Sequence, residues 1–147
     1  MLKFSEIKTV RKFCDDLTST PDWREVTQNI VDEESDFDVD GVRFINSDSI
    51  DEIQQDEISS DLYCLGCFND WFIAYVTGID VDVIQAMQKA EAFEAIGKLI
   101  ISLGKLQELQ SAYASADGYG HHFNHYDFGE EELRVDGRLF HVFDNRS

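Results

Sequence analysis

Proline is almost missing from this chain: Pro21 is the single one among 147 residues, and no Ser-rich run takes its place. No segment therefore has the composition of a linker, and one domain spanning 1–147 is the expectation. Cysteine is scarce too. Cys14, Cys64 and Cys67 are an odd number, which argues against a disulfide framework, and all three read as small buried hydrophobes with reduced thiols. No apolar stretch approaches the length of a membrane span. Near Met1, the residues Glu6, Lys8, Arg11 and Lys12 interrupt the turns that a signal peptide would keep apolar, so a cytosolic protein is expected. The scarcest commodity is positive charge. Twelve Lys and Arg face thirty Asp and Glu, for a net charge of −18. Such a field repels nucleic acid and anionic lipid and excludes both as direct partners, while it attracts basic surfaces.

The acids are not spread evenly. Between Asp22 and Asp61 there are fourteen of them against Arg24 and Arg43, a net −12. Trp23, Val26, Ile30, Phe37, Val39, Phe44, Ile50 and Ile53 are interleaved with them, and 43% of the chain is hydrophobic, with eleven Phe. A solvated acidic tail lacks such anchors, so a folded acidic surface is expected.

Periodicity then outlines the elements. Ile7, Val10, Cys14 and Leu17 recur at helical intervals from Phe4 to Leu17, with Ser5 as cap and Pro21 beyond the end. Trp23 to Val31 fits a helix or a strand. Phe37 and Val39 alternate with acids into Asp40-Gly41, and Val42 and Phe44 alternate on the way out; Leu133 and Val135 run into Asp136-Gly137, and Leu139 to Phe143 returns. Asp-Gly between alternating apolar residues signals a hairpin, because both turn residues need positive φ. Two hairpins pairing into one sheet would give it the strand number it needs to be stable. Between them, Ser49 and Glu52 form a capping box ahead of Ile50. Asp61 caps a nearly all-apolar run from Leu62 to Val76, expected to be a central buried helix, and Asp80 caps the next. A long helix is expected from Ala92 to Tyr113, in which Gly97 and Gly104 could admit a neighbouring helix. The fold class is α+β: four or five helices as a core, packed on a small antiparallel sheet from the two Asp-Gly hairpins.

Four constellations could carry function. Ile73 to Ile84, with Ala74, Gly78 and Ile79, has helix-turn-helix spacing. Its second helix offers Asp80, Asp82, Gln85, Gln88 and Glu91 with one cation, Lys89, and Lys98 and Lys105 follow. Phosphate contacts need more, so an ordinary helical corner is the preferred reading. Cys64-x2-Cys67 with His121-x3-His125 has zinc-ligand types, but fifty-three residues separate the halves, so no metal is expected there. The stretch from Asp117 to Glu132 holds His121, His122, His125, Asp127 and Glu130, the side chains of acid-base or metal chemistry. It reads more simply as a glycine-punctuated turn docked by Tyr119, Phe123, Tyr126 and Phe128. No catalytic residue and no cofactor are assigned. The fourth constellation is the acidic surface itself: Asp32, Glu33, Glu34, Asp36, Asp38, Asp40, Asp48, Asp51, Glu52, Asp56 and Glu57.

The run Ser115-Ala116-Asp117-Gly118-Tyr119-Gly120-His121-His122-Phe123, followed by Tyr126-Asp127, resembles the C-terminal ends of small acidic phage- and plasmid-borne proteins. The match covers about thirty residues and transfers no activity; it implies a mobile-element product in a bacterial cytosol. By composition and charge density alone, the acidic region is similar to DNA-mimic anti-restriction and anti-CRISPR proteins. That likeness implies an inhibitor whose carboxylates occupy the basic surface of a DNA-handling host protein. An enzyme or metal protein centred on His121 to Glu132, or an acidic adaptor using the helix-turn-helix-like pair, are the alternatives.

Overall fold

The computed structural model describes residues 2–145. In chain order the helices are α1 Phe4–Asp16, α2 Trp23–Val31, α3 Ile50–Ser59, α4 Leu62–Gly66, α5 Asp70–Thr77, α6 Val81–Lys89, α7 Phe93–Ser102, α8 Leu106–Asp117 and α9 Tyr119–Phe123. The strands are β1 Asp36–Val39, β2 Val42–Asn46, β3 Glu131–Val135 and β4 Arg138–Asp144. The class is α+β, with more helices than the four or five expected. The chain divides into two compact units, one made of the residues up to Ile50 together with those from Asp117 on, the other of Asp51–Ala116.

The first unit is built on the two hairpins. Asp40 and Gly41 adopt φ of 53° and 84°, and Asp136 and Gly137 adopt 55° and 69°, the left-handed pair a two-residue hairpin turn requires. β2 pairs with β4, so the hairpins join into one antiparallel sheet of order β1-β2-β4-β3. Register and alternation give the sheet two faces. On one, Phe37, Val39, Val42, Phe44, Leu133, Val135, Phe140 and Val142 pack against Val10 and Cys14 of α1 and Val26 and Ile30 of α2. Burial of Val26 and Ile30 resolves the ambiguous segment as a helix, capped by Asp22, whose carboxylate accepts the Arg24 N–H. The first helix starts earlier than the Ser5 cap implied, because the Glu6 carboxylate accepts the Lys3 N–H. The opposite sheet face carries Arg43, His141 and Phe143 under α9: Phe123 meets Phe143 at 5.2 Å, Tyr119 meets His141 at 5.1 Å, and the Arg43 guanidinium lies 5.0 Å from the Phe123 ring.

The second unit closes a core of its own from Ile58, Leu65, Ile73, Val76, Ile84, Ile96, Ile100, Leu109 and Tyr113. Two expected long helices are each broken. The run from Leu62 to Val76 splits at Cys67–Asn69, because the Asn69 side chain accepts the Trp71 and Phe72 N–H groups and starts a new helix. Tyr63, Trp71 and Tyr75 are exposed, so that run is not the helix buried all round that its composition suggested. The run from Ala92 to Tyr113 stops where Gly104 turns left-handed (φ 67°), and Leu103 is left exposed. Gly97 does admit a neighbour: a methyl there would overlap the Leu62 carbonyl oxygen, and one on Gly66 would overlap that of Phe93. The backbones of α4 and α7 therefore meet glycine to carbonyl.

Candidate functional site

The acidic stretch is folded, and its carboxylates face solvent while Phe37, Val39, Val42 and Phe44 are buried. The eleven acids are nonetheless divided between the units. Asp32, Glu33, Glu34, Asp36, Asp38, Asp40 and Asp48 belong to the first; Asp51, Glu52, Asp56 and Glu57 line α3 in the second. Several are engaged within the fold. Asp36 takes both arms of Arg43 at 2.9 and 2.7 Å, and that pair is largely covered, so its charge is neutralised locally. Asp40 accepts the Asp22 N–H at 3.0 Å, Asp32 accepts from Gln28, and Asp51 accepts from Gln110. Glu33, Glu34, Asp48, Glu52 and Asp56 are exposed without such duties and are the acids most available to a partner.

The helix-turn-helix-like pair is real as geometry. α5 and α6 meet across Gly78 (φ 76°), with Ile73 and Ile84 buried. Lys98 pairs with Glu94 and Lys105 with Glu108, so the following helices spend those cations on their own acids.

The histidine segment is a rigid turn organised by buried Asn124. Its amide donates to Asp127 Oδ1 and to the Gly129 carbonyl, both at 2.8 Å, and its Oδ1 accepts the N–H of Tyr126 at 2.9 Å. Gly120 is required there, since a Cβ would overlap the Phe128 carbonyl oxygen. Phe123 and Tyr119 dock as expected; Tyr126 and Phe128 do not, and are exposed because the turn holds them outward. His121 stacks on Phe128 at 5.0 Å, His122 packs edge-on to Phe123, and His125 is exposed. Among the described residues these three histidines do not join a group of three or more metal-ligand atoms.

His141, which sequence reasoning passed over as part of a strand, lies beside two carboxylates. Glu132 sits opposite it across β3 and β4, and its Nδ1 lies 2.9 Å from Glu130 Oε1. Two acids at i and i+2 beside a strand, with a histidine in the partner strand, were a visible signal, but only the register puts them side by side.

Cysteine placement corrects the expectation of three buried thiols. Cys14 is buried, and its pKa is pushed up to about 12 by that burial and then by Asp15 and Asp22. Cys64, in the middle of short α4, and Cys67, its C-cap, are both exposed. The Cys64 thiol donates to the Asp61 carboxylate at 3.2 Å, which raises its pKa and lowers that of Asp61. Iodoacetamide at pH 8 is therefore expected to leave Cys14 unlabelled in the folded protein. Asp61→Asn keeps a good helix cap, removes the charge and should speed alkylation of Cys64. Equal Cys64 labelling rates in the two proteins, followed by mass spectrometry, would remove Asp61 as the cause.

No family model, curated protein or solved structure matches this chain.

Proposed function

We propose that this chain is a non-enzymatic acidic binding protein that blocks a basic surface on a DNA-handling host protein. What carries the reading is the first unit's acidic edge: exposed carboxylates held on a hairpin whose apolar side chains are fully packed. A rigid charged surface binds without paying to order itself, and releasing counterions from the partner's groove favours association as it does for DNA. Asp36 and Asp40 are engaged within the fold, by Arg43 and by the Asp22 N–H, so Glu33, Glu34 and Asp48 beside the hairpin carry the contact to a partner. The resemblance to mobile-element proteins supplies the setting, a bacterial cytosol.

The test is capture of partners from a bacterial lysate on immobilised protein at low and high salt. The expected result is a captured nucleic-acid-binding protein whose retention falls steeply with salt. Glu33→Lys, Glu34→Lys and Asp48→Lys together should abolish it, with circular dichroism unchanged. Glu52→Lys and Asp56→Lys test α3 separately. The triple variant His121→Ala, His122→Ala, His125→Ala should bind as the parent does. Loss in the histidine variant with retention in both charge reversals would overturn the proposal.

A further inference from the structure

The first unit brings together a mixed donor set that its acidic surface does not need. Glu130, Glu132 and His141 each offer a ligand atom, and these atoms lie within 4.8 Å of one another. Alternation puts Glu130 and Glu132 on the same side of the chain, and the pairing of Glu132 with His141 brings the imidazole to that side. The histidine is more than nine-tenths buried, at 8% exposure, with the Tyr119 ring 5.1 Å away and its Nδ1 directed at the carboxylates. Both glutamates are exposed on edge strand β3 or just before it, so the cluster is reached from solvent. The Asn124-centred turn pins Gly129 and so fixes the entry of Glu130. Arg134 reaches Glu132 at 3.9 Å and is mostly exposed.

We infer that Glu130, Glu132 and His141 form a binding site for a divalent transition cation of the Mn2+ or Zn2+ class. Imidazole suits Zn2+ and its neighbours, carboxylates suit Mn2+, and a mixed set suits both. Two carboxylates this close repel one another, and a cation between them removes that repulsion as well as gaining their bonds. One neutral imidazole and two carboxylates leave further coordination positions to water, the arrangement of an open site as opposed to a closed structural one. To bind, the cation needs the Nδ1 lone pair of the neutral imidazole, so the ring carries its single proton on Nε2 and any second proton at Nδ1 is released to solvent. The site is distinct from the Cys64, Cys67, His121 and His125 set considered from the sequence. It is also independent of the proposed partner-binding acids.

Titration of the intact protein with MnCl2, followed by nuclear magnetic resonance, tests this directly, because bound Mn2+ broadens signals near it. The expected result is saturable broadening at His141, Glu130, Glu132 and Tyr119 ahead of any effect at Glu33, Glu34 or Asp48. Glu130→Gln and Glu132→Gln change exposed side chains and should leave the fold intact. Each should weaken Mn2+ and Zn2+ binding by at least about tenfold, the loss that even outer-shell substitutions commonly cause. Broadening that starts on the acidic hairpin, or that is the same in both glutamine variants, would mean diffuse counterion binding and would overturn the site. No broadening at His141 would mean that a proton is what these groups share, and would overturn it equally. Capture of a partner from lysate in the presence of a chelator separates this outcome from that of the proposed function.

Discussion

Gly97→Ala is expected to loosen the 51–116 unit by about 1–3 kcal/mol or more, the cost of forcing atoms into a filled space. The added methyl meets the Leu62 carbonyl oxygen, which belongs to backbone and cannot rotate away as a side chain could. Gly66→Ala meets the Phe93 carbonyl from the other side of the same crossing, so the two substitutions press α4 and α7 apart together. They share one contact, and their combined effect should fall short of the sum. Gly104→Ala is the control. Nothing lies within 4 Å of a Cβ there, and the cost is the left-handed backbone, about 1–2 kcal/mol. Hydrogen exchange resolved by segment should show protection lost across α4 and α7 in Gly97→Ala and Gly66→Ala. A Gly104→Ala protein less stable than Gly97→Ala would contradict the close helix crossing.

Phe44→Ala should be the most damaging single change to the sheet, at about 3–5 kcal/mol. Its ring is wholly buried, stacks on Phe37 at 5.0 Å and approaches Phe13 of α1 at 6.5 Å. Against a total stability of roughly 5–15 kcal/mol, such a loss leaves the sheet marginal. Exchange protection should fall across both hairpins, since β2 is bonded to β1 on one side and β4 on the other. Tyr75→Ala, an aromatic truncation at an 85% exposed position, should stay within about 0.5 kcal/mol of the parent. Because the chain has two compact units, each variant is best followed by segment and not by a single melting midpoint. A loss below that of Tyr75→Ala would show that the face beneath α1 and α2 is not closed.

The acidic surface was legible because charge and alternation are local quantities. Phe37, Val39, Val42 and Phe44 had to share a face once Asp40-Gly41 made the turn, and the acids between them had to point away. The carboxylates engaged within the fold were not legible. The register sets Arg43 opposite Asp38, yet its guanidinium reaches diagonally to Asp36, a choice that only side-chain packing makes. The exposure of Cys64, inside five-residue α4, and of Cys67, its C-cap, was not legible either, since the apolar run around them reads as buried.

By itself the sequence determined the two Asp-Gly turns, the α+β class, the strand faces, the helix-turn-helix-like corner and the exposure of the acids. Each depends on sterics and periodicity over a few neighbouring residues, which are the same in any context. Tertiary structure decided where the apolar runs break into separate helices, because an Asn69 cap and a left-handed Gly104 compete with continuation, and packing chooses between them. It also separated Gly97, pressed against a carbonyl, from Gly104, open to space, although both sit seven residues apart in one apolar stripe. Last, it brought His141 to Glu130 and Glu132. Their meeting depends on the register of β3 against β4, and register is a property of paired strands that neither strand carries alone.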